Sequence, residues 1–234
     1  IGIWNGLWIA HYRIPAFIIT LGMMTIARGG ALVLSEGSSI PVTDPVFPLI
    51  GGEYIGPATS AVILGLAFAA FLFATVRSAS RQHSYGIHVP TRDVALKASF
   101  GVGIIAFAGY VFISYRGIPY PVALLLALIL AGAFMLRNTR LGRQIYATGG
   151  NREAARLSGI DVFRVELAVY TIATTLAAVS GILLTSRLNG ANPNLGNMFE
   201  LDAIASVIIG GTSPAGGVGT IAGTVVGSFL IGVM

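Results

Sequence analysis

Pro119-Tyr120-Pro121-Val122-Ala123-Leu124-Leu125-Leu126-Ala127-Leu128-Ile129-Leu130-Ala131-Gly132-Ala133-Phe134-Met135-Leu136 carries no charge and then meets Arg137-Asn138-Thr139-Arg140. Crossing the hydrocarbon core of a bilayer takes about 20 predominantly apolar residues of helix, and this run has that length and character. Working outward toward the C-terminus, a second such run spans Val165 to Ser186. Leu201 to Ile209 follows, too short to cross, then a glycine-rich break and a last run from Thr220. Toward the N-terminus the runs are Ala98 to Tyr115, Pro57 to Val76, Ile14 to Leu34, and the tail Ile1 to Ile9. The pattern predicts an all-α, polytopic helical membrane protein with about six to seven transmembrane helices plus a re-entrant or broken half-helix.

Composition excludes most alternatives. Of the 234 residues 55% are hydrophobic and 10% charged, against about 25% charged in an ordinary soluble domain. So few charges cannot cover the surface of a soluble fold of this size. The 31 glycines suit membrane helices, whose backbones approach through small residues. Cysteine is absent, which removes disulfides, thiol catalysis and cysteine-ligated metals. A net charge of +5 invites a nucleic-acid reading, but the basic residues sit in short loops between apolar runs. That placement is a topology signal, and no nucleic-acid partner is expected.

The loops alternate in charge. One set holds Arg13; then Arg77, Arg81, Arg92 and Lys97; then Arg137, Arg140, Arg143, Arg152, Arg156 and Arg164, which makes 11 basic residues against three acids, Asp93, Glu153 and Asp161. The other holds only Arg116 and Arg187, with five acids: Glu36, Asp44, Glu53, Glu200 and Asp202. Positive residues favour the cytoplasmic side, so the first set is expected inside and the second outside.

Two charges fall within helices. Glu166 lies one step into its helix, at the interface. Arg28, in Thr25-Ile26-Ala27-Arg28-Gly29-Gly30, lies inside the second run. An intramembrane arginine is a functional candidate by default, and the competing reading is that it snorkels outward or pairs with a neighbouring helix. Gly219, Gly223 and Gly227 repeat every four residues, as do Ala123, Ala127 and Ala131, a spacing that lines one helix face for close packing. Gly217-Val218-Gly219 and Gly101-Val102-Gly103 follow no predicted strand, so a dinucleotide site is rejected.

The basic loop at 137–164 is the most informative. Gly149-Gly150 is expected to break any helix, Asn151 is a good N-cap, and Glu153 lies where a helix dipole favours an acid. Arg152 to Ser158 then makes about two turns that Gly159 is placed to end. Ala154 and Ala155 are expected to lie against a partner. Such a helix either docks in a groove on another protein or merely tidies a loop.

Glu153-Ala154-Ala155-Arg156-Leu157-Ser158-Gly159 resembles the E-A-A-x-x-x-G pattern of ABC importer permeases. Leu141-Gly142-Arg143-Gln144-Ile145-Tyr146-Ala147-Thr148-Gly149-Gly150-Asn151 is similar to the ribose/xylose branch of monosaccharide permeases. So are Glu200-Leu201-Asp202-Ala203-Ile204-Ala205, Gly210-Gly211-Thr212-Ser213-Pro214-Ala215-Gly216-Gly217-Val218-Gly219, Ile14 to Gly22, and Ala27-Arg28-Gly29. Tyr115-Arg116-Gly117-Ile118-Pro119-Tyr120-Pro121-Val122 and the linker from Arg77 to Lys97 look most like xylose permeases.

The resemblance implies one transmembrane permease domain over 1–234, incomplete at both ends, with a cytoplasmic coupling loop at 137–164. It implies a transport subunit without its own ATPase site, in a bacterial inner membrane, working by alternating access. It also implies cytoplasmic ATP-binding subunits, a second permease subunit as a homodimer, and a periplasmic sugar-binding protein. Gly150, Asn151, Glu153, Ala154, Ala155, Arg156 and Gly159 would form the docking helix. Arg28, Asp202, Gly210 and Gly211 are the candidates for the translocation path, because broken backbone at membrane depth survives only where it is buried or lines a cavity.

Other chemistry finds little support. No P-loop is present, so any ATP hydrolysis belongs to a partner. His11, His83 and His88 lack the acidic or cysteine companions of a metal site, no nucleophile-and-base constellation appears, and no cofactor is expected. The loop Asn189 to Asp202 is read either as a gate or binding-protein contact or as a solvated loop whose Asn and Pro serve turns. Asn192-Pro193-Asn194 is a poor match to an aquaporin box, and an ion-coupled transporter would show mid-membrane carboxylates. A branched-chain amino acid ABC permease is the nearest competing substrate reading.

Overall fold

Without water to receive backbone N–H and C=O groups, an apolar run in lipid has to bond its own backbone as a helix. The computed structural model describes residues 1–66, 68–69 and 91–234. In chain order its elements begin with α1 (Gly2–Tyr12), α2 (Ala16–Leu34), strand β1 (Ile40–Pro41), α3 (Phe47–Gly52), β2 (Tyr54–Ile55), α4 (described over Pro57–Leu66) and α5 (Thr91–Tyr115). There follow β3 (Ile118–Pro119), α6 (Tyr120–Asn138), α7 (Arg140–Gly150), α8 (Arg152–Leu157), α9 (Val162–Leu188), β4 (Gly190–Ala191), α10 (Phe199–Ile209) and α11 (Ile221–Val233).

Each predicted apolar run carries a helix. Among the described residues α2, α6 and α9 are long and apolar enough to cross a membrane, at 19, 19 and 27 residues. Pro57–Leu66, Ala106–Tyr115 and Ile221–Val233 are shorter apolar stretches. The half-length run becomes α10, which ends at Ile209 with Gly210 as its cap. The far part of the Pro57 to Val76 run lies outside the described residues, as do Arg77, Arg81, His83 and His88 of the following linker.

The chain forms two compact units, Ile1–Gly51 with Leu124–Met234, and Gly52–Ala123. In the first, α1 packs on α9. Gly2 and Gly6, one helical turn apart, make the approach possible: a Cβ on Gly2 would stand 2.8 Å from the Tyr170 carbonyl oxygen. A Cβ on Gly6 would stand 2.9 Å from Leu167 Cδ1. The ladder at Gly223 and Gly227 does the same for α11. Gly223 fits against Gly210, and Gly227 against Ser206, so α10 and α11 pack as a tight hairpin. Ala127 and Ala131 of α6 stay exposed.

Two-residue strands join loops that share the acidic set. In the first unit β1 pairs antiparallel with β4, Ile40 opposite Ala191, and Asn192 Nδ2 donates to Ser39 Oγ at 2.8 Å. In the second unit β2 pairs with β3, Tyr54 opposite Pro119. Loops that the charge pattern assigns to one side are therefore bonded to each other.

One buried serine pins each unit's loop. Ser186, 1% exposed, donates to the Phe47 carbonyl at 2.7 Å and accepts from the Gly51 N–H at 2.7 Å. Ser60, with no exposed surface, donates to the Ile55 carbonyl and accepts from the Ile118 N–H, each at 2.9 Å. Removing the hydroxyl leaves a buried donor and acceptor without partners, a cost of about 1–3 kcal/mol for each group. In the full-length protein in detergent, Ser186→Ala will lower the thermal unfolding midpoint by several degrees. Ser180→Ala, at an exposed position of α9, will leave it in place.

Candidate functional site

The site is built on the turn from α6 into α7. Thr139 caps α7 by accepting from the Gly142 N–H at 3.2 Å, and its hydroxyl donates back to the Met135 carbonyl at 2.6 Å. Gly142 lies against the Leu136 carbonyl, where any side chain would collide. The chain therefore reverses tightly and starts a second helix at once.

That second helix corrects one expectation. Gly149-Gly150 does not break the helix, because α7 runs through both glycines to its end. The break comes one residue later at Asn151, whose backbone is extended at φ −156°. Glycine is tolerated in a terminal turn, and Gly149 has a packing reason to be there: a Cβ on it would stand 2.6 Å from the Gly217 backbone nitrogen.

The short helix α8 forms where the capping residues predict it. Asn151 Oδ1 accepts from the Ala154 N–H at 2.9 Å, and Glu153 occupies the first turn. Gly159, at φ +81°, follows the last turn in the left-handed conformation that glycine adopts freely. Arg156 pairs with Glu153 at 2.7 Å, both exposed, so the pair adds little stability. Arg152 reaches Glu166 on α9 at 2.9 Å, a partner that is only 18% exposed, and this pair ties α8 to the long helix. Glu166 is thus an anchor for the loop.

The small-residue face needs a second correction. Ala155 is 4% exposed and buried within this chain, so it cannot meet a partner. Ala154 is exposed, and Leu157, three residues on and so on the same face, is 79% exposed. The helical period marks that shared face, but sequence alone does not say which face turns outward. Leu157 was missed for that reason.

Beside α8 opens a cleft of about 530 Å³, lined among others by His11, Arg13, Arg152, Arg156, Asp161 and Phe163. Arg13, from the first basic loop, is thereby brought beside the loop at 137–164, as the alternation of loop charges requires.

The candidate path residues are not gathered into one site. Asp202 lies exposed in the first turn of α10, and Arg28 is half-exposed on α2, without an ion pair among the described residues. Gly210 is spent on packing against Gly223, whereas Gly211, at φ +83°, has open space around it. Two asparagines of the 189–202 loop serve turns: Asn189 caps α9 in the left-handed conformation, and Asn192 Oδ1 accepts from the Asn194 N–H at 2.8 Å.

The family described as the branched-chain amino acid transport system / permease component matches residues 1–234. The chain belongs to this permease family. The chain is 41% identical over 232 residues to a xylose transport system permease protein of Escherichia coli K12, covering 99% of this chain and 59% of that protein. A xylose transport system permease protein of Haemophilus influenzae is 38% identical over 98% of this chain and 62% of its own length. A ribose import permease protein of Escherichia coli K12 is 35% identical over 99% of this chain and 55% of its own length. The chain thus spans about three fifths of the length of these relatives. No solved structure matches it.

Loss of the Asn151 cap will loosen α8, since such caps contribute about 1 kcal/mol. In Asn151→Ala, amide exchange over Arg152–Leu157 will quicken about fivefold while exchange in α9 stays unchanged, as read by mass spectrometry. Equal rates in the two proteins will dismiss the cap.

Proposed function

We propose that the protein is the membrane-spanning subunit of an ATP-driven ABC importer for a monosaccharide, xylose or ribose. It sits in the bacterial inner membrane as a multi-pass protein, hydrolyses no ATP itself, and works by alternating access. The single observation that carries this reading is α8. It is a capped two-turn helix on a basic loop, anchored from behind by Arg152–Glu166, and it presents Leu157 and Ala154 outward. A helix held this rigidly is suited to being pushed, and a naked leucine beside an alanine fits an apolar groove on a cytoplasmic ATP-binding subunit.

In this reading the partners are two such subunits, a second copy of the permease, and a periplasmic sugar-binding protein. The loop at 137–164 is the coupling loop of one transmembrane domain over 1–234. Gly150, Asn151, Glu153, Arg156 and Gly159 shape and orient the docking helix, with Ala155 packing it from within. Closure of the ATP-binding subunits displaces α8, and the rigid-body movement tips the attached helices so that the path opens to one side at a time. Arg28, Asp202, Gly210 and Gly211 remain the candidates for its border, with Gly210 acting through the α10–α11 contact.

Support for a sugar comes from the relatives, named for xylose and ribose, against a family description that names branched-chain amino acids. The full-length protein with its partners, reconstituted in liposomes, is expected to take up radiolabelled xylose or ribose and not leucine. Uptake of leucine alone will move it to the other substrate class. Leu157→Asp is expected to abolish co-purification of the ATP-binding subunits while leaving the membrane part folded; normal assembly will remove α8 from the docking role.

A further inference from the structure

A second connection leads away from the docking helix, toward the α10–α11 hairpin. The loop at the tip of that hairpin is folded on itself. The Ser213 N–H donates to the Val218 carbonyl at 2.9 Å, and the Gly216 N–H donates to the Ser213 carbonyl at 3.0 Å. This tip meets α7 at two places. The Tyr146 hydroxyl donates to the Gly219 carbonyl at 2.8 Å, across 73 residues of sequence. Gly149 meets Gly216 and Gly217 backbone to backbone: a Cβ on Gly216 would stand 2.5 Å from the Gly149 carbonyl oxygen, and one on Gly217 2.7 Å from the Gly150 Cα. Both tip glycines have positive φ, +91° and +74°, so the shape of the tip itself depends on them.

Contacts between backbones have no side-chain rotamers to absorb a displacement. The pieces on either side are themselves continuous or closely packed. Gly223 on Gly210 and Gly227 on Ser206 lock α10 to α11, and α7 is an unbroken helix. Between α7 and α8 stands Asn151 alone. Its N–H donates to the Ala147 carbonyl at 3.1 Å, and its carbonyl accepts from the Ala155 N–H at 2.9 Å, so this junction is bonded in both directions.

We propose that Tyr146 and Gly149 are positioning residues that clamp the hairpin tip to α7, so that displacement of α8 is delivered to the α10–α11 hairpin as well as to α9. The proposal rests on the docking role of α8. It adds that the half-length helices, and not only the long helix α9, are driven from the cytoplasmic side.

The test uses the full-length protein with its ATP-binding and sugar-binding partners. Tyr146→Phe removes one oxygen and keeps the ring, and Gly149→Ala inserts a methyl group into the backbone contact. Gly181→Ala, on α9 with nothing within 4 Å of the added carbon, is the control. Subunit assembly and ATP turnover are expected to persist in Tyr146→Phe, while sugar moved per ATP falls about fivefold, the factor that one neutral hydrogen bond represents. Gly149→Ala is expected to fall at least as far, and Gly181→Ala to match the unaltered protein. A second readout needs no sugar: amide exchange at residues 213–219 is expected to change when nucleotide is added to the unaltered assembly, and to respond less in Tyr146→Phe. Uptake per ATP in Tyr146→Phe equal to that of Gly181→Ala will overturn the clamp, and so will a tip loop indifferent to nucleotide. A nucleotide response at the tip without sugar uptake will count against the substrate and leave the clamp standing.

Discussion

Hydrocarbon offers no partner to a peptide group, and each feature of this chain answers to that constraint. Long apolar runs satisfy it as helices. Where a helix stops, the freed backbone groups need partners nearby, and at several ends the sequence supplies them with small polar side chains. Ser186 and Ser60 each serve one donor and one acceptor from loop backbone, while Thr139, Asn151 and Asp161 cap helices on the basic side. Two-residue ladders do the same for β1 with β4 and β2 with β3. The loops of the acidic set are therefore held by hydroxyls and amides, while the Arg152–Glu166 pair anchors the basic loop.

The same constraint explains why glycine is so frequent. Between helices in lipid, apolar burial gives little advantage, since the tails are as apolar as leucine; close packing and hydrogen bonding remain. Gly2 and Gly6 bring α1 onto α9, and Gly223 and Gly227 bring α11 onto α10. The family assignment is compatible with a fold made this way, in which interhelical distance is set by missing side chains.

Segment identity was legible in the sequence because length and apolarity are local properties: the runs at Ile14, Pro119, Val165 and Leu201 lie within a few residues of α2, α6, α9 and α10. The small-residue spacing at Gly223 and Gly227 likewise predicted a contact. Orientation around a helix axis was not legible for α8, because a six-residue helix of charges and alanines has no dominant apolar face. Ala155 went inward and Leu157 outward for reasons that lie in α7 and α9. The continuation of α7 through Gly149-Gly150 was hidden for a related reason. Its cause is a contact with Gly216 and Gly217, and sequence spacing carries no trace of a partner so far along the chain.

The β1–β4 ladder has a consequence for biosynthesis. Asn192 and Ser39, which bond beside it, are 153 residues apart. At a synthesis rate of about 5–20 residues per second, the segment around Ile40 waits about 8–30 s before its pairing strand has been made. During that interval the edge of β1 has no pairing strand. The polar and conformationally restricted residues around it, Ser38, Ser39, Pro41, Asp44 and Pro45, suit an edge that stays unattached until β4 has been made.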